Sequence, residues 1–192
     1  MRRRLLLVLP ILGLVIYGGT AASASVAPTR LPTGHNCVAR AVPLSSSQAP
    51  KFTCYATFAQ AVNAATRGRV RLPASATPQS VTPDEINAGI DAPNTTYVLS
   101  IDWANTNYGG PSLTWTQTSQ CGSFQASSMP SGWNDAVKSV AAYSGCANTL
   151  FQNNNFGGST YKIKKNGSSS NLGSFNDQAS SETWCPTYPC GK

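Results

Sequence analysis

The sequence predicts a mainly β fold, an antiparallel sandwich built from one unit used twice, with a small α-containing segment ahead of it. Three observations carry this reading. Short runs of alternating residues begin at Tyr97, separated by turns rich in Asn, Gly and Ser. The stretch Trp103-Ala104-Asn105-Thr106-Asn107-Tyr108-Gly109-Gly110 returns 48 residues later as Phe151-Gln152-Asn153-Asn154-Asn155-Phe156-Gly157-Gly158. A second stretch, Asn134-Asp135-Ala136-Val137-Lys138-Ser139, returns 42 residues later as Asn176-Asp177-Gln178-Ala179-Ser180-Ser181, and an aromatic residue precedes each copy, Trp133 and Phe175. A repeat this short means one supersecondary unit used twice, because one unit alone cannot bury its apolar face.

The chain of 192 residues opens with Met1-Arg2-Arg3-Arg4, runs apolar from Leu5 to Tyr17, and reaches the small-residue cleavage pattern Ala22-Ser23-Ala24. Residues 1–24 therefore read as a secretory signal peptide. A membrane anchor is the weaker reading, since the apolar run falls short of the ~20 residues a bilayer requires. The formal charge is +7; the leader carries three of the arginines and no acid, so the mature chain carries +4. That mild basicity favours solubility and anionic surfaces and does not indicate nucleic acid.

All six cysteines, Cys37, Cys54, Cys121, Cys146, Cys185 and Cys190, follow the leader. An even count in a secreted chain implies disulfides, and six allow 15 connectivities. Proximity favours Cys37–Cys54, Cys121–Cys146 and Cys185–Cys190. A metal–thiolate site is disfavoured by the absence of any C-x-x-C pair and by the oxidising compartment.

Residues 25–72 read as a small disulfide-stapled segment with one helix. Residues 25–50 are rich in Pro, Ser and Thr, with turn signals at Pro32-Thr33-Gly34 and Ala49-Pro50, and read as a loop held by Cys37. Thr57 and Gln60 have capping-box spacing, Phe58, Ala61, Val62 and Ala65 share one apolar face, and Gly68 is placed to end the helix. Arg69-Val70-Arg71-Leu72 alternates like a short edge strand. Residues 73–96 form a Pro-rich connector. Within it, Thr82-Pro83-Asp84-Glu85 reads as an N-cap, a Pro at the first helical position and acids in the first turn, with a short helix running as far as Ile90. Asn94-Thr95-Thr96 fits a glycosylation pattern that is common by chance.

Residues 97–192 form the β body with a stapled tail, Cys185 to Cys190. Tyr97, Leu99 and Ile101 alternate with Val98, Ser100 and Asp102, and Leu113 and Trp115 alternate with Ser112, Thr114 and Thr116. Lys138, Val140 and Ala142 oppose Ser139, Ala141 and Tyr143, and Leu150-Phe151 and Tyr161 to Lys164 repeat the pattern. In each repeated unit an aromatic, four residues, an aromatic, one residue and then Gly describe a folded hairpin, with Gly allowing positive φ where the chain doubles back. Ser139 and Ser181 stand where their hydroxyls can bond the hairpin backbone.

These residues resemble the βγ-crystallin superfamily, whose Greek-key motif reads aromatic-x4-aromatic-x-Gly with a later Ser, two motifs making one domain. The match covers residues 97 to about 185. The resemblance implies a Greek-key sandwich of two motifs and gives the Asn-Asp stretches a role. Microbial members bind Ca²⁺ through (N/D)-(N/D)-x-x-(S/T)-S, two motifs sharing two sites. Ligands come from the acidic or amide side chains, the fifth-position hydroxyl and backbone carbonyls. On that pattern the metal candidates are Asn176, Asp177, Gln178 and Ser180, with Asn134 and Asp135 from the first copy. Lys138 departs from it: an ammonium has three donors and no acceptor, and adds positive charge where a hydroxyl ligand is expected. One of the two sites is therefore expected to be impaired. The competing reading is that each stretch is a turn whose Asn and Asp bond their own backbone.

The resemblance points to a secreted, non-catalytic, monomeric binding protein with a weak Ca²⁺ site. Two alternatives share the fold: an extracellular metallopeptidase inhibitor, suggested by cysteines bracketing the junction of the repeats, and a killer-toxin-like or cell-envelope-binding protein. The partners would be an extracellular peptidase or an envelope polymer. Catalysis has little support. The single histidine is His35, no G-x-S-x-G or H-E-x-x-H occurs, and the seven acids are scattered with no pair that announces acid/base work. The basic residues Arg67, Arg69, Arg71, Lys162, Lys164 and Lys165 read most simply as solvated faces, and more weakly as a surface for an anionic polymer.

Overall fold

The computed structural model describes residues 36–87, 95–187 and 190. The leader, the turn at residues 32–34, His35, Ile90, Asn94 and residues 188–189 within the last disulfide lie outside the described residues. Among the described residues no helix is long and apolar enough to cross a membrane.

Among the described residues, eleven strands and two α-helices follow one another: β1 (Asn36–Arg40), β2 (Val42–Pro43), β3 (Phe52–Tyr55), α1 (Phe58–Ala65), α2 (Pro83–Asn87), β4 (Tyr97–Asn105), β5 (Gly109–Gln117), β6 (Phe124–Ala126), β7 (Ser139–Ala142), β8 (Ala147–Asn153), β9 (Gly157–Ile163), β10 (Ser168–Ser169) and β11 (Ser181–Cys185). They form two sheets, ordered β10-β7-β4-β5-β1-β3 and β2-β6-β11-β8-β9. Strands β4 to β7 are the first repeat and β8 to β11 the second. Each repeat lends one strand to the other's sheet: β6 pairs with β11, and β10 pairs with β7. This exchange interlocks the two Greek keys. Leu99, Leu113, Trp115, Leu150 and Trp184 fill the space between the sheets, with the rings of Trp115 and Trp184 4.9 Å apart.

Residues 36–43, expected as loop, instead form two strands, because pairing with β5 and β6 satisfies their backbone, and the N-terminal strands extend both sheets. β1 lies parallel to β5 and antiparallel to β3, and β2 lies antiparallel to β6. Helix α1 forms where the sequence placed it, with the Thr57–Gln60 capping box complete. Gly68, at φ +80°, closes it by donating from N–H to the Asn63 carbonyl. The apolar face of α1 covers the outer side of the six-stranded sheet, where Phe58, Val62 and Ala65 meet Val98, Ile101 and Trp103. α2 is capped as expected, Glu85 N–H donating to Thr82 Oγ1 and Thr82 N–H to the Glu85 carboxylate.

Two further local expectations are corrected. Residues Arg69 to Leu72 form no strand. The Arg69 guanidinium instead donates to the carbonyls of Thr96 (3.1 Å) and Ile86 (3.4 Å), tying the end of the helical segment to the start of β4. Leu99 and Ile101 do not share a face either. A bulge between Val98 and Ser100 shifts the register against β5. It sends Leu99 into the space between the sheets and Ile101 toward α1.

The three disulfides are Cys37–Cys54, Cys121–Cys146 and Cys185–Cys190. The first joins directly opposed residues of β1 and β3. Disulfides persist in oxidising compartments, which places folding of this chain in one.

Candidate cation-binding site

The two hairpins fold alike. Asn107 and Tyr108 in the first, and Asn155 and Phe156 in the second, have φ between +55° and +64°. Each hairpin is clasped by the later serine. Ser139 Oγ accepts from Tyr108 N–H (3.0 Å) and donates to the Asn105 carbonyl (2.7 Å). Ser181 Oγ accepts from Phe156 N–H (3.0 Å) and donates to the Asn153 carbonyl (2.6 Å). The aromatic pairs meet edge to face, Trp103 on Tyr108 and Phe151 on Phe156. Glycine is required at Gly110 and Gly158: φ is +73° and +77°, and a Cβ would meet the Asn105 side chain at 2.7 Å or that of Gln152 at 2.9 Å. The fold is that of a βγ-crystallin domain.

In this βγ-crystallin frame the Asn-Asp loops lie side by side and exchange backbone bonds. Trp133 and Phe175 anchor them in the inter-sheet core. Asp135 N–H donates to the Ala179 carbonyl and Asp177 N–H to the Val137 carbonyl, each at 3.0 Å. The fifth positions match as well: Lys138 N–H donates to the Trp103 carbonyl, and Ser180 N–H to the carbonyl of Phe151, the repeat counterpart of Trp103. Lys138 and Ser180 are therefore spatial equivalents.

The side chains cross between the loops. Ser180 Oγ lies 3.2 Å from Asp135 Oδ1, so the hydroxyl of the second copy serves the carboxylate of the first. Lys138 Nζ lies 3.1 Å from Asp177 Oδ1 and donates to the Ala104 carbonyl at 3.2 Å. The Lys138 ammonium thus occupies the corresponding position beside Asp177. Asp135 and Asp177 are both exposed and both have φ near +55°. Their left-handed backbone turns the carboxylates toward the opposite loop.

The predicted ligands divide accordingly. Asp135 and Ser180 come together, with Asn134 Nδ2 donating to Asp135 Oδ2 at 2.7 Å. Asn176 is turned into its own loop: its Oδ1 accepts from Leu172 N–H and its Nδ2 donates to Asn171 Oδ1. Gln178 donates to the Ser174 carbonyl. These two side chains build the turn that presents Asp177. The copy that matches the Ca²⁺ pattern throughout thus supplies its carboxylate to the lysine-filled position and its hydroxyl to the other one.

As donors, Asp135 and Ser180 suit a hard cation: one exposed carboxylate over one buried hydroxyl, with no ammonium or guanidinium bonded to Asp135 among the described residues. The Asp177 position does not fit a second cation, because an ammonium already lies against its carboxylate.

No family model and no curated protein matches the chain. Solved βγ-crystallin structures do. The domain from Clostridium beijerinckii is 23% identical, aligned over 46% of this chain and 99% of that one, with a TM-score of 0.36. A βγ-crystallin from an archaeon is 23% identical over 44% and 94%, TM-score 0.34. The one from Ciona intestinalis is 28% identical over 43% and 94%, TM-score 0.35. The likeness spans less than half of this chain; what defines the fold here is the pair of serine-clasped hairpins and the exchange of β6 and β10.

Two features escaped sequence reasoning. The carbonyls of Val137 and Ala179, which lock the loops together, carry no side-chain signal. The acids, scattered along the sequence, do include a pair that converges in space: Asp102 and Glu182. Both are 0% exposed, which leaves no path to a substrate.

Proposed function

We propose that the protein is a secreted, non-catalytic binding protein whose βγ-crystallin body takes one Ca²⁺ beside Asp135, while Lys138 serves as a tethered cation beside Asp177. The crossing of the loops carries this reading, since it pairs a carboxylate with a hydroxyl on one side and with an ammonium on the other. When bound, Ca²⁺ would supply charge neutralisation and a bridge between the two repeats. Asp135 and Ser180 would hold it and orient the loops. Few protein donors are on offer, so water completes the shell and the affinity falls in the weak extracellular range of about 10⁻⁴–10⁻³ M. At about ten times Kd such a site adds roughly 1.4 kcal/mol to stability. The three disulfides and the basic, then apolar, leader support secretion. Calorimetric titration of the mature chain with Ca²⁺ tests the reading; one site per chain is expected, and absence of any binding at millimolar Ca²⁺ rejects it.

A second reading, an extracellular metallopeptidase inhibitor, is favoured by one loop. Thr118, Ser119 and Gln120 are exposed, and the loop is pinned behind them by Cys121–Cys146. A constrained, exposed loop can enter a peptidase cleft at low entropic cost. Inhibition of a thermolysin-like enzyme that is lost on reducing the disulfide would favour this reading; no inhibition at large molar excess would reject it.

A further inference from the structure

The centre of the sandwich holds two acids. Asp102, on β4, and Glu182, on β11, come from opposite sheets, and both are 0% exposed. Each has one oxygen supplied with neutral donors. Trp115 Nε1–H donates to Asp102 Oδ2 at 2.8 Å. Ser100 Oγ and Asn148 Nδ2 donate to Glu182 Oε1, and Trp184 Nε1–H holds the serine at 2.9 Å. The remaining oxygens, Asp102 Oδ1 and Glu182 Oε2, have no donor among the described residues. Ser100, which donates to Glu182, stands two residues from Asp102 on β4, so the two carboxyl groups share one stretch of the inter-sheet core.

Among the described residues no cation is ion-paired with either acid. The groups that face it are Ser100 from β4, Trp115 from β5, Asn148 from β8 and Trp184 from β11, all uncharged. The core around them is apolar, including Leu99, Leu113, Phe124 and Leu150. Among the described residues, each acid has the other as its titratable neighbour. Two bare carboxylates sharing this buried stretch would repel strongly and leave two acceptors without a donor. One proton removes both problems, because it cancels one charge and supplies the missing donor.

We propose that Asp102 and Glu182 form a buried proton-binding site that joins the two sheets, and that the fold requires this proton. Glu182 carries it and donates from Oε2 to Asp102 Oδ1, since Asp102 already has the Trp115 donor to stabilise its charge. Burial is the main cause that raises both groups, Asp102 to about 7 and Glu182 well above the usual carboxylate range, with the charge of Asp102 next for Glu182. In the unfolded chain both acids ionise near pH 4. Between there and the folded titration the native state holds protons that the unfolded state releases. The contribution to stability is therefore full below the ordinary carboxylate range and is lost as pH rises through the folded titration. Each proton held in this way lowers the folding constant about tenfold per pH unit. The site thus makes the protein more stable in mildly acidic surroundings than in alkaline ones.

Two measurements on the full mature chain test this. Infrared spectroscopy of the wild type at about pH 7, where ordinary carboxyl groups are ionised, is expected to show a protonated-carboxyl stretch that disappears in Glu182→Gln. Denaturant unfolding between about pH 5 and 8 is expected to show a stability that falls by at least one proton's worth in the wild type and is nearly flat in Glu182→Gln, whose amide N–H permanently replaces the acid O–H. Every other titratable group is common to both chains, so the difference between them isolates the pair. A wild type with no protonated-carboxyl band at about pH 7 overturns the proposal even if the variant fails to fold. A pH slope that persists unchanged in Glu182→Gln overturns it as well.

Discussion

Lys138 Nζ stands 3.1 Å from Asp177 Oδ1, and the two residues come from opposite repeats. Where the other loop sets the Ser180 hydroxyl beside Asp135, this one sets a covalently attached cation beside its partner acid. Both groups are about a third or more exposed, at 34% and 46%, so solvent screens the pair and it contributes only about 0–1 kcal/mol. Under the proposed one-site reading, its larger consequence is to exclude a second ion.

Replacing the ammonium with a hydroxyl should reverse that exclusion. Lys138→Ser gives both fifth positions the same chemistry, and calorimetric titration is expected to show two Ca²⁺ per chain in place of one. The calcium-dependent rise in melting temperature should grow with it, while the variant without calcium should melt within a few degrees of the wild type.

The serine clasps predict matched losses. Ser139 and Ser181 are both 0% exposed and make the same two bonds in their respective hairpins. Ser139→Ala and Ser181→Ala each leave a backbone N–H and a carbonyl short of a partner, and each should cost about 1–3 kcal/mol in denaturant unfolding.

The helical layer should be part of the same cooperative unit as the sandwich. Phe58 is 5% exposed and packs on the outer face of the six-stranded sheet. Phe58→Ala is expected to cost about 3–5 kcal/mol and to shift a single unfolding transition, monitored in parallel by far-ultraviolet circular dichroism and tryptophan fluorescence.

What the sequence disclosed follows the range of the forces involved. The hairpins at Trp103–Gly110 and Phe151–Gly158 were legible because aromatic spacing and glycine placement are local requirements. The α1 cap was legible for the same reason. The facing of Leu99 and Ile101 was not, because the bulge at Val98–Ser100 is set by pairing with β5. The strand expected at Arg69–Leu72 gave way because the Arg69 guanidinium reaches the Thr96 and Ile86 carbonyls. At the site, Lys138 was legible as a departure from the Ca²⁺ pattern. Its partner was not, because the crossing that sets it against Asp177, and Ser180 against Asp135, is a property of the interlocked repeats. Asp102 and Glu182, 80 residues apart, carry no local sign of each other.

The most direct test of one cation site beside one tethered cation compares Asp135→Asn with Asp177→Asn. Each is melted in EDTA and again in millimolar Ca²⁺, beside the wild type. Calcium should raise the midpoint of the wild type and of Asp177→Asn, and should leave Asp135→Asn unmoved. A calcium response that survives in Asp135→Asn and vanishes in Asp177→Asn would contradict the account, as would a wild type that does not respond.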